Sequence, residues 1–127
     1  MGLIHADLHF GNLLKTKAGE IAAIDFDDCG FGFYVYDLAI PLVGLENLLR
    51  HSKRFESYPA LKQALLAGYS SIQELTARDL RLLQDLIIAR KLLMTGWLQS
   101  RSDNPKIRSH LKKYVRSTLK YIAKPTL

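Results

Sequence analysis

A mostly helical α+β fold is what this sequence predicts, with one β-hairpin near its start and about four helices after it. Three observations carry that reading. Two short apolar runs flank Thr16-Lys17-Ala18-Gly19, a loop with the glycine that a hairpin asks for. Helix-start chemistry recurs downstream at Asp37, at Ser57 with Pro59, at Thr76 with Asp79 and at Asn104 with Pro105. Between those starts, apolar residues return at helical spacing.

Leu13-Leu14-Lys15 and Glu20 to Phe26 supply the hairpin strands. Their pairing brings Asp25 back beside Asn12. Ile21 and Ala23 alternate against Ala22, Ile24 and Phe26, so one face can be buried while Asp25 points to a site. Cys29 to Tyr36 reads as loop. Gly30 and Gly32 suit a turn there, because no helix start with a third glycine follows to make a nucleotide-binding unit. The aromatic residues Phe31, Phe33 and Tyr34 read as core or as substrate wall.

Asp37 is the expected N-cap of a helix reaching about Leu45, with Pro41 near its first turn. Asn47 to Lys53 extends or restarts it. A second helix runs from Ser57 or Tyr58 to Tyr69, with Leu61, Leu65, Leu66 and Tyr69 on one face. Thr76-Ala77-Arg78-Asp79 is a capping-box pattern. The helix it opens should be the longest, ending at Gln99 or Arg101. Its stripes, Leu82-Leu86-Ala89-Leu93-Trp97 and Leu83-Ile87-Met94-Leu98, imply packing on two sides. The last helix follows Asn104-Pro105. Its inner face is expected to be Ile107, Leu111, Val115, Leu119 and Ile122, with its basic residues outside.

Composition narrows the class. The 127 residues, 48% of them hydrophobic, suffice for one core and one domain. Four prolines and eight glycines make no disordered tract. No apolar run is long enough to span a membrane, and no secretory leader is visible. A lone cysteine, Cys29, suits a reducing cytoplasm and reads as small filler beside Asp27 and Asp28. The net charge of +6 is concentrated in the last quarter: Arg101, Lys106, Arg108, Lys112, Lys113, Arg116, Lys120 and Lys124 face only Asp103. A solvated outer face explains this better than nucleic-acid binding, which stays a weaker alternative.

The chemistry gathers at the N-terminus. The apolar lead-in Gly2-Leu3-Ile4 delivers Asp7; Asn12 follows five positions later, and Asp25 thirteen after that, behind Ala22-Ala23-Ile24. Two oxygen ligands and a separate carboxylate at such offsets suit holding Mg²⁺ on a nucleotide triphosphate while a hydroxyl loses its proton. Mg²⁺ takes few protein oxygens and completes its shell with water and phosphate. Phosphoryl transfer asks for positioning and charge neutralisation more than for covalent help.

The pattern His-x-Asp-Leu-x-x-x-Asn at His5 to Asn12, with Asp25-Phe26 after it, resembles the catalytic loop and metal-binding Asp of the protein-kinase fold. HADLHFGN followed by IDFDD is similar to the aminoglycoside phosphotransferase and choline kinase branch. The resemblance implies Asp7 as catalytic base, Asn12 and Asp25 as metal ligands, and His5 as a brace behind the loop. It matches Asp37, in Tyr36-Asp37-Leu38-Ala39, to a structural Asp, and Asp27 to an acidic position usual in the small-molecule branch. It further implies ATP and Mg²⁺ as cofactors and a small-molecule hydroxyl as acceptor.

The Gly-rich strand pair and the phosphate-gripping Lys of such enzymes have no counterpart here. The resemblance therefore covers a C-terminal lobe segment, roughly the last two fifths of such an enzyme, with no N-terminal lobe. Residues 1–36 would carry the catalytic loop, hairpin and metal loop, and residues 37–127 a helical subdomain. Such a segment alone is expected to be inactive, and to associate with a missing N-terminal half or with itself.

Other readings weigh less. His5, Asp7 and His9 alternate as zinc ligands would, but a further ligand is wanting and Asn12 and Asp25 would have no purpose. His9 is read as facing substrate or solvent, and His51 and His110 as surface residues. Glu46, Glu74, Asp79 and Asp85 could meet a cationic acceptor, though each suits a plain helix surface. The rival from another class is a non-catalytic interaction module, binding a partner through exposed apolar surface and the basic helix.

Overall fold

The computed structural model of the chain describes residues 1–51 and 57–124. Strand β1, Gly2–Ile4, leads through a turn of 3₁₀ helix at Phe10–Asn12 into β2, Leu13–Lys15. Strand β3, Ile21–Ala23, folds back on β2, and β4, Gly30–Gly32, returns to β1. Helices α1 (Tyr36–His51), α2 (Tyr58–Ser70), α3 (Ala77–Ser100) and α4 (Pro105–Ala123) complete the chain. The order is the expected one, mostly helical with the hairpin first. Ser52 and Lys53, in the expected extension of α1, lie outside the described residues, as does the side chain of His51.

Both strand pairs are antiparallel. Leu13 faces Ala23 and Lys15 faces Ile21 across the hairpin, whose Gly19 takes a φ of 88°. The second strand stops at Ala23 rather than Phe26, because Asp25 has a φ of 65° and leaves the extended region. Neither face of the hairpin is buried: Leu14, Ile21, Ile24 and Phe26 are exposed.

The segment read as a glycine turn is strand β4. Gly2 faces Gly32 and Ile4 faces Gly30, so β1 and β4 close around everything from His5 to Cys29. The glycines serve close approach here. A Cβ at Gly32 would lie 2.5 Å from Ile4 Cδ1, and one at Gly2 would overlap the Tyr34 hydroxyl. Phe31, on β4, is 88% exposed and is not core.

Helix α1 is the centre of the molecule. Leu38, Ala39, Leu42, Val43 and Leu45 are buried against Leu83 and Ile87 of α3, with Leu61, Leu65 and Tyr69 of α2 packed on the other side. The capping box at Thr76 forms: Asp79 N–H donates to Thr76 Oγ1, and the Thr76 N–H and hydroxyl donate to Asp79 Oδ2. Those bonds hold the Asp79 carboxyl below its ordinary pKa, the Thr76 hydroxyl contributing most. Helix α3 is packed on two sides only as far as Lys91. Beyond it Leu92, Leu93 and Trp97 are exposed, and the Arg101 guanidinium lies 4.3 Å from the Trp97 ring centroid.

Helix α4 is turned from its expected orientation. Leu119 and Ile122 are exposed, and Tyr114, Ser117, Thr118 and Tyr121 are buried. The cause is a polar cluster that only the tertiary fold assembles. Lys91, 1% exposed, ion-pairs with Glu46 of α1 and lies 4.9 Å from the Tyr121 ring centroid. Ser117 Oγ donates to Glu46 Oε1 at 3.0 Å. Burial, then the Glu46 carboxylate, push the Tyr121 hydroxyl up to about 12, so it stays protonated.

Removing one partner of a buried pair leaves the other charge uncompensated. Lys91→Ala should therefore lower unfolding free energy by about 3 kcal/mol, read from urea denaturation. A loss no larger than that of an exposed control, Lys112→Ala, would show that the cluster is not structural.

Candidate active site

The site begins where β1 ends. Ala6 has a φ of 64°, a left-handed conformation costing a non-glycine residue roughly 1 kcal/mol or more. The Asp37 carboxylate holds it there. Its Oδ2 accepts from His5 N–H at 2.8 Å and its Oδ1 from Ala6 N–H at 2.9 Å. Asp37 thus lies in the first turn of α1 with both oxygens engaged by the loop, and does not cap its own helix as the sequence suggested.

His5 is buried and works from behind the loop. Its Nε2 is 2.9 Å from the Ile24 carbonyl oxygen, and its ring lies 4.5 Å from that of Phe26. Asp7 N–H points at His5 Nδ1, 3.4 Å away. One tautomer serves both: Nε2–H donates to Ile24 and Nδ1 accepts from Asp7. The imidazole so links the loop to the segment after β3, next to Asp25.

Asn12 is joined to both sides. Its side-chain amide donates to the Asp7 carbonyl oxygen at 3.0 Å, and its own carbonyl accepts from Ile24 N–H at 3.0 Å. The side chain is buried, and with its NH₂ directed at Asp7 the Oδ1 is left as acceptor. Asp25 follows Ile24 directly, is exposed, and makes no hydrogen bond or ion pair among the described residues. Asp27 and Asp28 are likewise exposed, in the turn closed by Cys29 N–H on the Phe26 carbonyl. Cys29 is exposed and free. His9 caps the 3₁₀ turn by accepting from Gly11 N–H, and its Nε2 lies 3.5 Å from Asp7 Oδ2.

An amide oxygen and a carboxylate are hard donors, suited to Mg²⁺ or Ca²⁺ rather than to zinc. No group of three His, Cys, Asp or Glu able to hold a metal occurs among the described residues. The donor set of Asn12 and Asp25 therefore fits a cation that draws its other ligands from water and phosphate.

Arg90 of α3 is the residue that the motif reading missed. Its NH2 lies 2.6 Å from Asp7 Oδ1, holding one carboxylate oxygen and leaving Oδ2 on the His9 side. A signal was present. Arg90 and Lys91 interrupt the apolar stripes of α3, with Leu86, Ile87, Leu93 and Met94 at helical spacing around them, and charges in such positions need partners. The acidic residues considered for a cationic acceptor are elsewhere: Asp79 is in its capping box, Glu46 in the Lys91 cluster, and Glu74 and Asp85 are exposed.

A strained loop presenting an Asp and an Asn, closed by a hairpin that returns a second Asp, in a mostly helical lobe, defines the kinase-like phosphotransferases as a class. Comparison with known proteins makes the family explicit. Residues 1–75 match the phosphotransferase enzyme family, and the chain belongs to it. It is 31% identical over 110 residues to amicoumacin kinase of Bacillus subtilis (strain 168), covering 80% of this chain and 31% of that protein. An uncharacterized protein of Deinococcus radiodurans is 34% identical over 101 residues, covering 80% of this chain and 29% of its own length. A solved structure of an amicoumacin kinase in complex with AMP-PNP, Ca²⁺ and Ami superimposes with a TM-score of 0.73 at 30% identity, over 92% of this chain and 36% of that one. The chain thus spans about a third of the length of these relatives. Among the described residues, no helix is long and apolar enough to cross a membrane.

Asp37→Ala should unpin the loop, since a hydrogen bond to a charged group contributes about 1.5–3 kcal/mol. We expect hydrogen exchange at the His5 and Ala6 amides to accelerate at least about tenfold while α3 amides keep their protection. Unchanged exchange at those two amides would mean the carboxylate does not hold the turn.

Proposed function

We propose that this chain is the C-terminal catalytic segment of an ATP- and Mg²⁺-dependent phosphotransferase that phosphorylates a hydroxyl of a small molecule. The observation that carries the reading is the bond from the Asn12 side chain to the Asp7 carbonyl, with Asn12 itself bonded to Ile24 beside Asp25. Asp7 is assigned as the base: the acceptor hydroxyl approaches Oδ2, the oxygen not held by Arg90, and gives up its proton there as its oxygen bonds to the γ-phosphorus and the bond from that phosphorus to the bridging oxygen breaks, releasing ADP. Arg90 keeps that carboxylate from swinging, and the His5 ring faces the Asp7 backbone N–H. Asn12 Oδ1 and Asp25 hold the divalent cation, which when bound neutralises charge on the transferring phosphoryl group. Asp27 is assigned a supporting place on the metal loop. The amicoumacin kinase resemblance supports a small-molecule acceptor over a protein.

One observation favours a second reading, an interaction module. Leu3 and Phe31 on β1 and β4, with Leu14 and Ile21 on the hairpin and Phe26 after it, present apolar surface that a partner or second copy would cover. A monodisperse monomer in light scattering, with no affinity for an added ATP-binding lobe, would remove it.

In a protein carrying these residues together with an ATP-binding lobe, Asp7→Asn should lower kcat by about 10²–10⁴ with little change in the KM for ATP. Asp25→Ala should raise the Mg²⁺ concentration needed for half-maximal rate. The 127-residue chain alone should turn over nothing. Undiminished transfer by the doubly substituted protein, or steady turnover by the chain alone, would contradict the assignment.

A further inference from the structure

The polar cluster that turns α4 also shapes a groove of about 930 Å³ between α1, α3 and α4. Its apolar lining comes from Met94, Leu98 and Tyr114. Lys113, Arg116 and Lys120 of α4 line it, with Lys124 just past the helix end. The three on the helix recur at three- and four-residue spacing, so they form one stripe, and the stripe borders the groove. Among the described residues the lining holds one acid, Glu46, whose carboxylate is already engaged by Lys91 and Ser117. The groove is thus apolar along α3 and cationic along α4.

Its position connects it to Asp7. Arg90, Met94 and Leu98 succeed one another at four-residue steps along α3, so they share a face, and Met94 is about 6 Å along the axis from Arg90. A molecule seated on Met94 and Leu98 needs only one more helical turn to reach the carboxylate that Arg90 holds. At that end the guanidinium is neutralised by Asp7, so a charge preference comes from the groove end of the path, where the cations of α4 disfavour an ammonium group.

We infer that this groove is the acceptor subsite and that it selects an apolar molecule carrying a carboxylate or phosphate, not a polyamine. The inference rests on the phosphotransferase reading for the word acceptor, while the charge preference of the groove stands by itself. The volume lies toward the upper end of ordinary small-molecule pockets. Lysines that would be a solvated outer face on a free helix are here one wall of a site with an apolar opposite wall, and that amphipathic pairing sets the ligand class.

Two probes with the same indole ring and opposite charge test it: indole-3-acetate and tryptamine. The chain has two methionines, so [¹³C-methyl]methionine labelling gives one reporter in the groove, Met94, and one outside it, Met1. Titrated without nucleotide or metal, indole-3-acetate should shift the Met94 methyl and leave that of Met1 in place. It should bind at least about tenfold tighter than tryptamine. Exchanging Lys113 and Lys120 for Glu should reverse the order; both side chains are exposed, and an unchanged melting temperature confirms the fold.

Equal binding, a tryptamine preference, a Met94 signal that never moves, or an order unaffected by charge reversal would overturn the inference. So would displacement of indole-3-acetate by a short DNA duplex at low concentration, which would make the α4 stripe a nucleic-acid surface. None of these outcomes touches the roles of Asp7 and Asp25, and loss of those roles would leave the charge preference intact.

Discussion

Two hydrogen bonds fix the loop after β1 to helix α1: the N–H groups of His5 and Ala6 on the two oxygens of Asp37. They join a left-handed backbone position to a helix at the centre of the core. Ala6 is left-handed without being a glycine, and Asp37 stands in the first turn of α1, whose Ala39 and Leu42 are wholly buried. Strain of this size persists only where surrounding structure over-determines it. Here a carboxylate fixed by a rigid helix supplies that determination, and the direction in which Asp7 leaves the turn follows from it.

The same logic of closure runs outward. The hairpin of β2 and β3 is nested inside the pairing of β1 with β4, so both ends of the segment from His5 to Cys29 are fixed to each other. Within it, His5 reaches Ile24 and Asn12 is bonded to both Asp7 and Ile24. Short-range bonds between neighbouring segments thereby hold Asp7 and Asn12 beside Ile24, the residue before Asp25. Asp25 is the second left-handed non-glycine residue among those described, and its conformation takes the chain out of the extended region just after β3. Away from the loop, Glu46, Lys91, Ser117 and Tyr121 hold α1, α3 and α4 in one arrangement.

What could be read from the sequence was what is local. The Thr76 capping box, the Pro59 and Pro105 helix starts and the Gly19 turn depend on residues within a few positions of one another. The spacing of Asp7, Asn12 and Asp25 was legible for a similar reason, since loop and hairpin are consecutive. Strand β4 was not, because Gly-Phe-Gly has the composition of a turn and its partner is at the start of the chain. The orientation of α4 was not, because Leu119 and Ile122 look like core until Lys91 and Glu46 are seen to meet Ser117. Arg90 stood in an apolar stripe as a charge requiring a partner, but nothing in the sequence alone named Asp7 as that partner.

The central claim is that Asn12 and Asp25 share one divalent cation beside Asp7. Paramagnetic broadening by Mn²⁺ tests it most directly, because the ion relaxes only nearby nuclei. Added to the ¹⁵N-labelled chain, Mn²⁺ should first erase amide signals from Asp7 to Asn12 and from Ile24 to Asp27, and Asp25→Ala should restore both groups together. Broadening that begins at Glu74, Asp79 or Asp85, or that spares the amides around Asn12 while affecting Asp27 and Asp28, would contradict it.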